Sequence, residues 1–471
     1  MKQLFEKLKS LKHILLLSFL CFSLSFLFIL IHSHAQNSNE EADSQLSNFI
    51  GQQSEYEQSS FSLPDSADSI NEILLPLSAT EQTSYSTVST SEEMRGVWIS
   101  YLELMGKCGT ESEFTALVNT MMENCKKLRM NAVFVHVRPF SDALYPSDCF
   151  PWSKVVTGTQ GVNPGYDPLK IMLQAAHEHG LEFHAWINPY RITSSGNADI
   201  KTLSKDNPAR IWAQSSKQSD RRKVLSYGGM LQYNPSKKAV RKLIINGVKE
   251  IAVKYDIDGI HFDDYFYPNL GTDYKKNFDY KEYQAYKERC KKACKTPLSI
   301  VKWRRRNVDL LIKGVYDEIS RINKKMGKDV VFGVSPQGQI QNLYVKNSLY
   351  CDVKKWMSEK GYIDYVCPQV YWSFSQKIAP FDKMVDDWSN CKKRKSVSLY
   401  IGMAAYRAGI SKQEANTLGD PGWSKSNTVL KREVQYIRNK SNISGFFLYR
   451  YDNIVSTTAK KEIKNLLTIL K

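Results

Sequence analysis

A chain of 471 residues, 42% hydrophobic and 24% charged, has the composition of a soluble globular protein but exceeds one ordinary core unless that core is a large α/β barrel. Its formal charge of +17 is unevenly spread: without the first 35 residues (four Lys less one Glu) it is +14, and without the next 58, which carry eleven acidic residues, it is +25. The remainder is therefore strongly basic. That suits an anionic cell-wall polymer or membrane surface as partner as well as a plain solvated Lys-rich face; no nucleic-acid motif accompanies it.

Met1 to Ala35 places Lys2, Lys7, Lys9 and Lys12 ahead of an uncharged run from Ile14 to Ile31. Its eighteen residues just suffice to span a bilayer, and Ser33, His34 and Ala35 form a small-residue cleavage site. A cleaved signal peptide and an uncleaved anchor both fit, and either exports the rest of the chain, to be secreted or held at the membrane. Cys21 follows Leu20, which is too bulky for lipidation, so it reads as a membrane-core residue. Gln36 to Glu93 contains no Lys or Arg and is dense in Ser, Thr and Gln. Such a segment buries too little apolar surface to offset its ordering entropy, so a disordered linker is expected, with a coil span of roughly 40 Å. Export also argues against nucleic acid as a partner.

From Arg95 onward, short apolar runs alternate with amphipathic ones. Strands are expected at Gly96–Tyr101, Ala132–Val137, Glu182–Ile187, Ile257–Phe262, Val330–Val334, Tyr362–Cys367, Ser398–Gly402 and Gly445–Tyr449. Helical patterns lie between them at Glu113–Leu128, Leu169–His179, Lys237–Tyr255, Asn307–Lys324, Phe381–Cys391, Thr428–Asn439 and Thr458–Leu470. Eight strand-helix units predict a (β/α)8 TIM-type barrel over residues 94–471, with its active site at the strand C-terminal ends. Two long excursions, Tyr190–Ser236 and Tyr265–Ser299, are expected to shape a substrate cleft. The eight cysteines after the leader are scattered; they permit disulfides, but a domain of this size does not need them. Cys290 and Cys294 would be neighbours on one helix face, with too few companions for a zinc site. No metal or cofactor is expected.

Alternate residues of a strand share a face. That period puts His136 and Arg138 inward on the second strand, His184, Trp186 and Asn188 on the third, His261 and Asp263 on the fourth, Ser335 on the fifth, and Gln369 and Tyr371 on the sixth. Taken singly, each histidine reads first as a satisfied core residue. Asp263 differs, because a carboxylate ending a strand is costly to bury without a role. Aromatic residues cluster near these ends, namely Tyr145, Trp152, Trp186, Tyr190, Tyr265, Tyr267, Tyr371, Trp372 and Tyr406. Flat rings beside Arg, Asn and Gln suit a sugar, with its apolar C–H faces and polar equator, and about half of them are expected to touch it.

The motifs RGVWIS from Arg95, VRPFSDALYPS from Val137, PWSKVVTGTQGVNPGYDPL from Pro151, FHAWINPYRI from Phe183, DGIHFDDYFYP from Asp258, FGVSP from Phe332, YIDYVCPQVYW from Tyr362 and LYIGMAAYRAG from Leu399 resemble, in order, the glycosyl hydrolase-like 10 family. The resemblance covers nearly all of Met94 to Lys471 and implies a TIM-type barrel, an extracytoplasmic enzyme, and, in one branch, cleavage of peptidoglycan glycan strands stripped of peptides. Two stretches depart from the family: SYLEL, with Glu103 where many relatives carry asparagine and aspartate, and VSPQGQIQN on the fifth strand. Subsite preferences are expected to differ accordingly.

Glycoside hydrolysis needs one carboxyl as acid and another as nucleophile or base. DGIHFD also resembles the fourth strand of α-amylase-type barrels, which implies Asp263 as nucleophile. For the partner, Asp142, Glu103 and Asp264 stay open; Asp264 points to the opposite face, where it would hold a loop or Arg138 unless a turn brings it in. Arg138 and His261 are expected to keep Asp263 ionised. Asn188, Gln369 and Tyr371 are expected to bind sugar hydroxyls or an acetamido group, with His184, Trp186, Tyr190, Tyr265, Trp372 and Tyr406 also lining the site. Two rivals remain, a non-catalytic carbohydrate-binding protein and a metal-dependent hydrolase using Asp263, Asp264 and a histidine.

Overall fold

The computed structural model describes residues 93–470 apart from Ser348. The expected leader (1–35) and linker (36–93) lie outside these residues except for Glu93. No described helix is long and apolar enough to cross a membrane.

The strands are β1 (Met94–Ile99), β2 (Ala132–Arg138), β3 (Glu182–Ile187), β4 (Val224–Tyr227), β5 (Met230–Tyr233), β6 (Gly259–Phe262), β7 (Val331–Val334), β8 (Tyr365–Val366), β9 (Ser398–Leu399), β10 (Ile401–Met403) and β11 (Gly445–Leu448). Nine of them form one parallel sheet in the order β10-β11-β1-β2-β3-β6-β7-β8-β9. β9 pairs with β8 and β10 with β11, and only Tyr400 separates the two. They are halves of one strand, so nine segments act as the eight staves of a (β/α)8 barrel. The Tyr400 amide still bonds to the Val366 carbonyl at 2.9 Å, carrying the ladder across the break.

The outer helices follow the expected pattern. Glu111–Lys127 begins with a capping box in which Thr110 and Glu113 each satisfy the other's backbone N–H. Pro168–Glu178, Lys238–Lys254, Ile300–Met326, Phe381–Ser389, Val429–Arg438 and Lys460–Leu467 continue the ring. The 27-residue helix Ile300–Met326 starts seven residues earlier than its expected apolar pattern, with Ser299 capping Lys302. The excursion after β3 holds a hairpin that the sequence reading missed. β4 and β5 pair antiparallel through Gly228 and Gly229, both at positive φ (56° and 73°), as a two-residue hairpin turn requires. Leu231 of this hairpin bonds to Ile192, and Tyr233 to the Tyr190 carbonyl, so the hairpin braces the chain leaving β3.

Inside the barrel, Trp98, Phe134, Trp186, Tyr365, Tyr400 and Phe447 pack into one cluster. Polar groups in this apolar space are satisfied by a directed chain of hydrogen bonds. Trp98 Nε1–H donates to His261 Nε2 at 3.1 Å, which leaves His261 Nδ1–H to bond Tyr365 Oη at 2.9 Å. Tyr365 Oη–H then reaches His184 Nδ1 at 3.2 Å, and His184 Nε2 meets Glu182 Oε2 at 3.3 Å. Burial holds the His261 imidazole well below its ordinary pKa, so the ring at the centre of this chain is neutral. Glycine at two inward positions makes room for it. A Cβ at Gly259 would sit 2.1 Å from His184 Nδ1, and one at Gly333 would sit 2.0 Å from the Tyr365 ring.

Candidate active site

The C-terminal ends of β1, β2, β3, β6 and β11 converge on Asp263. Immediately past β6, this carboxylate is 2% exposed, and both its oxygens accept N–H bonds. Trp186 Nε1 donates to Oδ2 at 3.3 Å and the Tyr265 amide to Oδ1 at 3.2 Å. Trp186 in turn lies flat on His136, ring centroids 3.3 Å apart. His136 accepts the Tyr101 amide at Nδ1 (3.3 Å), and Nε2 meets the Asn188 side-chain carbonyl at 3.2 Å. Burial, with the charges of Arg191 and Arg450 adding to it, keeps His136 well below its ordinary pKa despite that bond. The Asn188 Nδ2 donor is buried and has no hydrogen-bond partner among the described residues, so it is a group with a bond to give.

Aromatic rings and two arginines surround this floor. The Arg191 guanidinium lies over Phe140 at 5.2 Å and over Tyr265 at 4.9 Å, and Phe140 meets Tyr101 edge-on at 5.1 Å. On the other side Tyr371 stacks with Tyr449 at 5.7 Å and meets Tyr406 edge-on at 5.8 Å. Arg450 Nη1 bonds to Ser100 Oγ at 2.9 Å and pairs with Glu103 at 3.3 Å. Gln369, half-buried, donates to the Ser335 carbonyl at 3.0 Å.

Glu103 sits in the one-turn helix Tyr101–Leu104 that interrupts the chain after β1. Its carboxylate caps Ser100 through the backbone N–H (3.0 Å) and the hydroxyl. Burial raises its pKa to about 7, outweighing the opposing pull of Arg450. Its Oε1 is buried with no partner among the described residues. Glu103 is therefore a carboxyl that gains and loses its proton near neutrality.

The structure moves several expected residues away from Asp263. A register shift between His136 and Arg138 turns Arg138 outward, its guanidinium 4.6 Å over the Phe150 ring. Phe150 packs against Gly247 of the helix Lys238–Lys254. The charges that act on Arg138 belong to Tyr145, Tyr233, Cys149 and Asp142, so it neither keeps Asp263 ionised nor contacts Asp264. His261 does not keep Asp263 ionised either, because both its nitrogens are used within the barrel. His184 belongs to the floor of that chain, paired with Gly259 at the start of β6, and lies away from the mouth. Tyr190 is fully buried and feels Arg241 of the outer helix. Tyr145 stacks edge-on with Tyr255, and Tyr267 bonds to buried Asp279, so both serve packing.

Asp264 faces the opposite side, as the strand period requires, and its charge helps raise the pKa of the buried Cys351 thiol. Asp142 is fully buried, accepts from Gln160 Nε2 at 2.8 Å, and borders a cavity of about 250 Å³ with Phe140 and Lys154. Trp372 is 2% exposed and packs against Gly338. Of the four carboxylates considered, Asp263 and Glu103 are the two tied into the mouth.

Tyr101, Phe140, Arg191, Tyr449 and Arg450 escaped the sequence reading. The last two follow β11 directly and answer to the same strand-end rule, which that reading never applied to the eighth strand. His136 and His261 spend both ring nitrogens on protein partners. Among the described residues no group of three or more His, Cys, Asp or Glu is placed to hold a metal.

Residues 93–419 match the family model described as glycosyl hydrolase-like 10. Glycosyl hydrolase YngK of Bacillus subtilis is 36% identical over 381 residues, covering 75% of this chain and 68% of that protein. Glycosyl hydrolase DigH of Escherichia coli K12 is 30% identical over 411 residues, covering 81% of this chain and 88% of that protein. Among solved structures, the PgaB (BpsB) glycoside hydrolase domain from Bordetella bronchiseptica superposes with a TM-score of 0.50 at 12% identity, covering 80% of this chain and 99% of that one; it speaks for the fold alone. The family match and these two relatives establish a glycoside hydrolase, and the chain belongs to the glycosyl hydrolase-like 10 family.

Proposed function

We propose that this glycoside hydrolase acts outside the cytoplasm, secreted or held at the membrane by its N-terminal segment, and cleaves peptidoglycan glycan strands from which the peptides have been removed. One observation carries the substrate reading: two guanidinium groups, Arg191 and Arg450, act on the same mouth that holds Asp263. A glycan stripped of peptides exposes the free lactyl carboxylates of its muramic acid units, and paired arginines are the side chains that recognise a carboxylate. The aromatic walls take the sugar faces, and the Asn188 amide donates to an acetamido or hydroxyl oxygen. A strand still carrying peptides has amides in place of those carboxylates and lacks the charge for the arginines to meet.

The chemistry follows from the two mouth carboxyls. Asp263, ionised, serves as the nucleophile or base at the anomeric carbon. Glu103, titrating near 7, gives its proton to the departing glycosidic oxygen and is re-protonated in the next step. Arg450, its ion-pair partner at 3.3 Å, steadies it once the proton has left.

Released reducing ends from intact and peptide-stripped glycan test the substrate. The stripped strand should be cut at least ~10-fold faster, and the preference should vanish in Arg191→Met and Arg450→Met. Equal rates on both glycans would refute it. Glu103→Gln tests the proton donor. It should slow natural glycan far more than an aryl glycoside, whose leaving group needs no proton; equal slowing of both would remove Glu103 from that role.

A further inference from the structure

The two long excursions build a second cavity on the outer flank of the barrel's C-terminal face, where the helices Lys238–Lys254 and Ile300–Met326 begin. It has a volume of about 590 Å³, the size of a sugar-like ligand rather than a lone ion. Its walls are cationic. The single carboxylate, Glu282, is already spent on Arg222 at 2.7 Å and Lys237 at 3.0 Å. Lys238, Arg241, Lys281, Arg289 and Arg306 face the same space and make no ion pair with a described carboxylate. Five like charges around one cavity repel each other and cost stability unless an anion joins them.

Two features separate this cavity from an ordinary solvated basic face. Asn307 lines it, is 5% exposed, and its Nδ2 donor has no hydrogen-bond partner among the described residues. A buried donor of this kind is costly unless a ligand acceptor meets it. Behind it, Tyr286 and Trp303 stack at 5.9 Å and 27°, giving a flat apolar wall. The 17-residue helix Lys238–Lys254 also opens here with no side-chain cap at Lys237, so its first N–H groups add to the positive field.

We infer that this cavity binds a phosphodiester-linked polyol or sugar chain, the phosphates meeting the arginines, lysines and Asn307 and the polyol lying on the Tyr286–Trp303 wall. Phosphate is favoured over carboxylate because a phosphodiester chain repeats its charge along a flexible polyol, so that successive tetrahedral groups can meet donors arriving from three separate segments. The site would anchor the enzyme on an anionic polymer beside the glycan that it cuts. The inference goes beyond the proposed activity and does not depend on which bond the mouth cleaves.

The test is surface plasmon resonance of the full-length chain against poly(glycerol phosphate), polygalacturonate and a neutral chito-oligosaccharide. The phosphate polymer should bind best, with an affinity that falls as salt rises. Lys281→Glu with Arg306→Glu, both exposed positions, should weaken that binding at least ~10-fold. Asn307→Leu should weaken it ~3-fold or more, with thermal unfolding run alongside to confirm a folded protein. If the double variant unfolds, Arg289→Glu alone replaces it and should still lower the affinity. Three results would overturn the inference: no binding by the unaltered chain, equal binding by the folded variants, or polygalacturonate held as tightly as the phosphate polymer.

Discussion

Replacing Glu103 by Gln should change how stability depends on pH, whatever constant offset it introduces. In the fold this carboxyl titrates near 7 against 4.5 ordinarily, and burial is the leading cause. The native state therefore holds a proton between those values that the unfolded chain has released. Stability contributed by this raised group is present below pH 4.5 and is lost as pH rises through 7. At about 1.4 kcal/mol per pH unit, the loss amounts to ~3 kcal/mol. Glutamine keeps the shape and cannot ionise, so the variant should gain ~3 kcal/mol relative to the parent between pH 4.5 and pH 8. The pull of Arg450 on the ionised carboxylate is already contained in that value of about 7, so losing the ion pair adds nothing separate to the slope. Guanidinium unfolding of both proteins at pH 4.5, 6 and 8 measures the difference directly. A stability gap that stays constant over this range would refute the protonation assigned to Glu103.

Three other perturbations probe the same structure. Arg138→Met should leave the acidic limb of the kcat/KM profile within about 0.3 pH unit of the parent, because Arg138 faces Phe150; were it beside Asp263, its loss would raise that limb by ~1–3 units. Glu433 is fully buried, neither of its oxygens has a partner among the described residues, and burial with the nearby Glu462 and Asp420 drives its pKa well above the ordinary value. Glu433→Met should therefore stabilise the protein at pH 8 by about 1–3 kcal/mol in calorimetry, and a net loss would contradict that reading. Gly333→Ala forces a methyl into the Tyr365 ring and should cost at least ~2 kcal/mol in denaturant unfolding, since neither the ring nor the strand has room to move. A Gly333→Ala protein as stable as the parent would show that the barrel interior is looser than described.

The barrel was legible because eight apolar runs and their intervening helices announce themselves by period alone. β3 was placed to the residue, and β9 with β10 took the place of the single run expected there and ended one residue beyond it, at Met403, since the break at Tyr400 is a local departure that hydrophobicity does not register. What the period could not supply was the bulge after His136, where one extra residue reverses the face of Arg138. The hairpin β4–β5 was readable from its Gly228–Gly229 pair but lay inside a stretch treated as one loop. At the site, Asp263 and Trp186 meet as strand alternation demands. Glu103, Arg191 and Arg450 come together only through tertiary packing of three distant segments, which no local pattern records. His184 and His261 show the limit of the inward-face rule, which cannot distinguish the mouth of a barrel from its packed middle.

The central claim is that Asp263 is the carboxylate on which the mouth is built. Asp263→Asn removes its charge while keeping its size and its place beside Trp186 and Tyr265. Reducing ends released from peptide-stripped glycan by this variant, with circular dichroism recorded on the same sample, test the claim most directly. A loss of at least ~1,000-fold with an unchanged spectrum is expected. Release at the parent rate by a folded Asp263→Asn protein would contradict it.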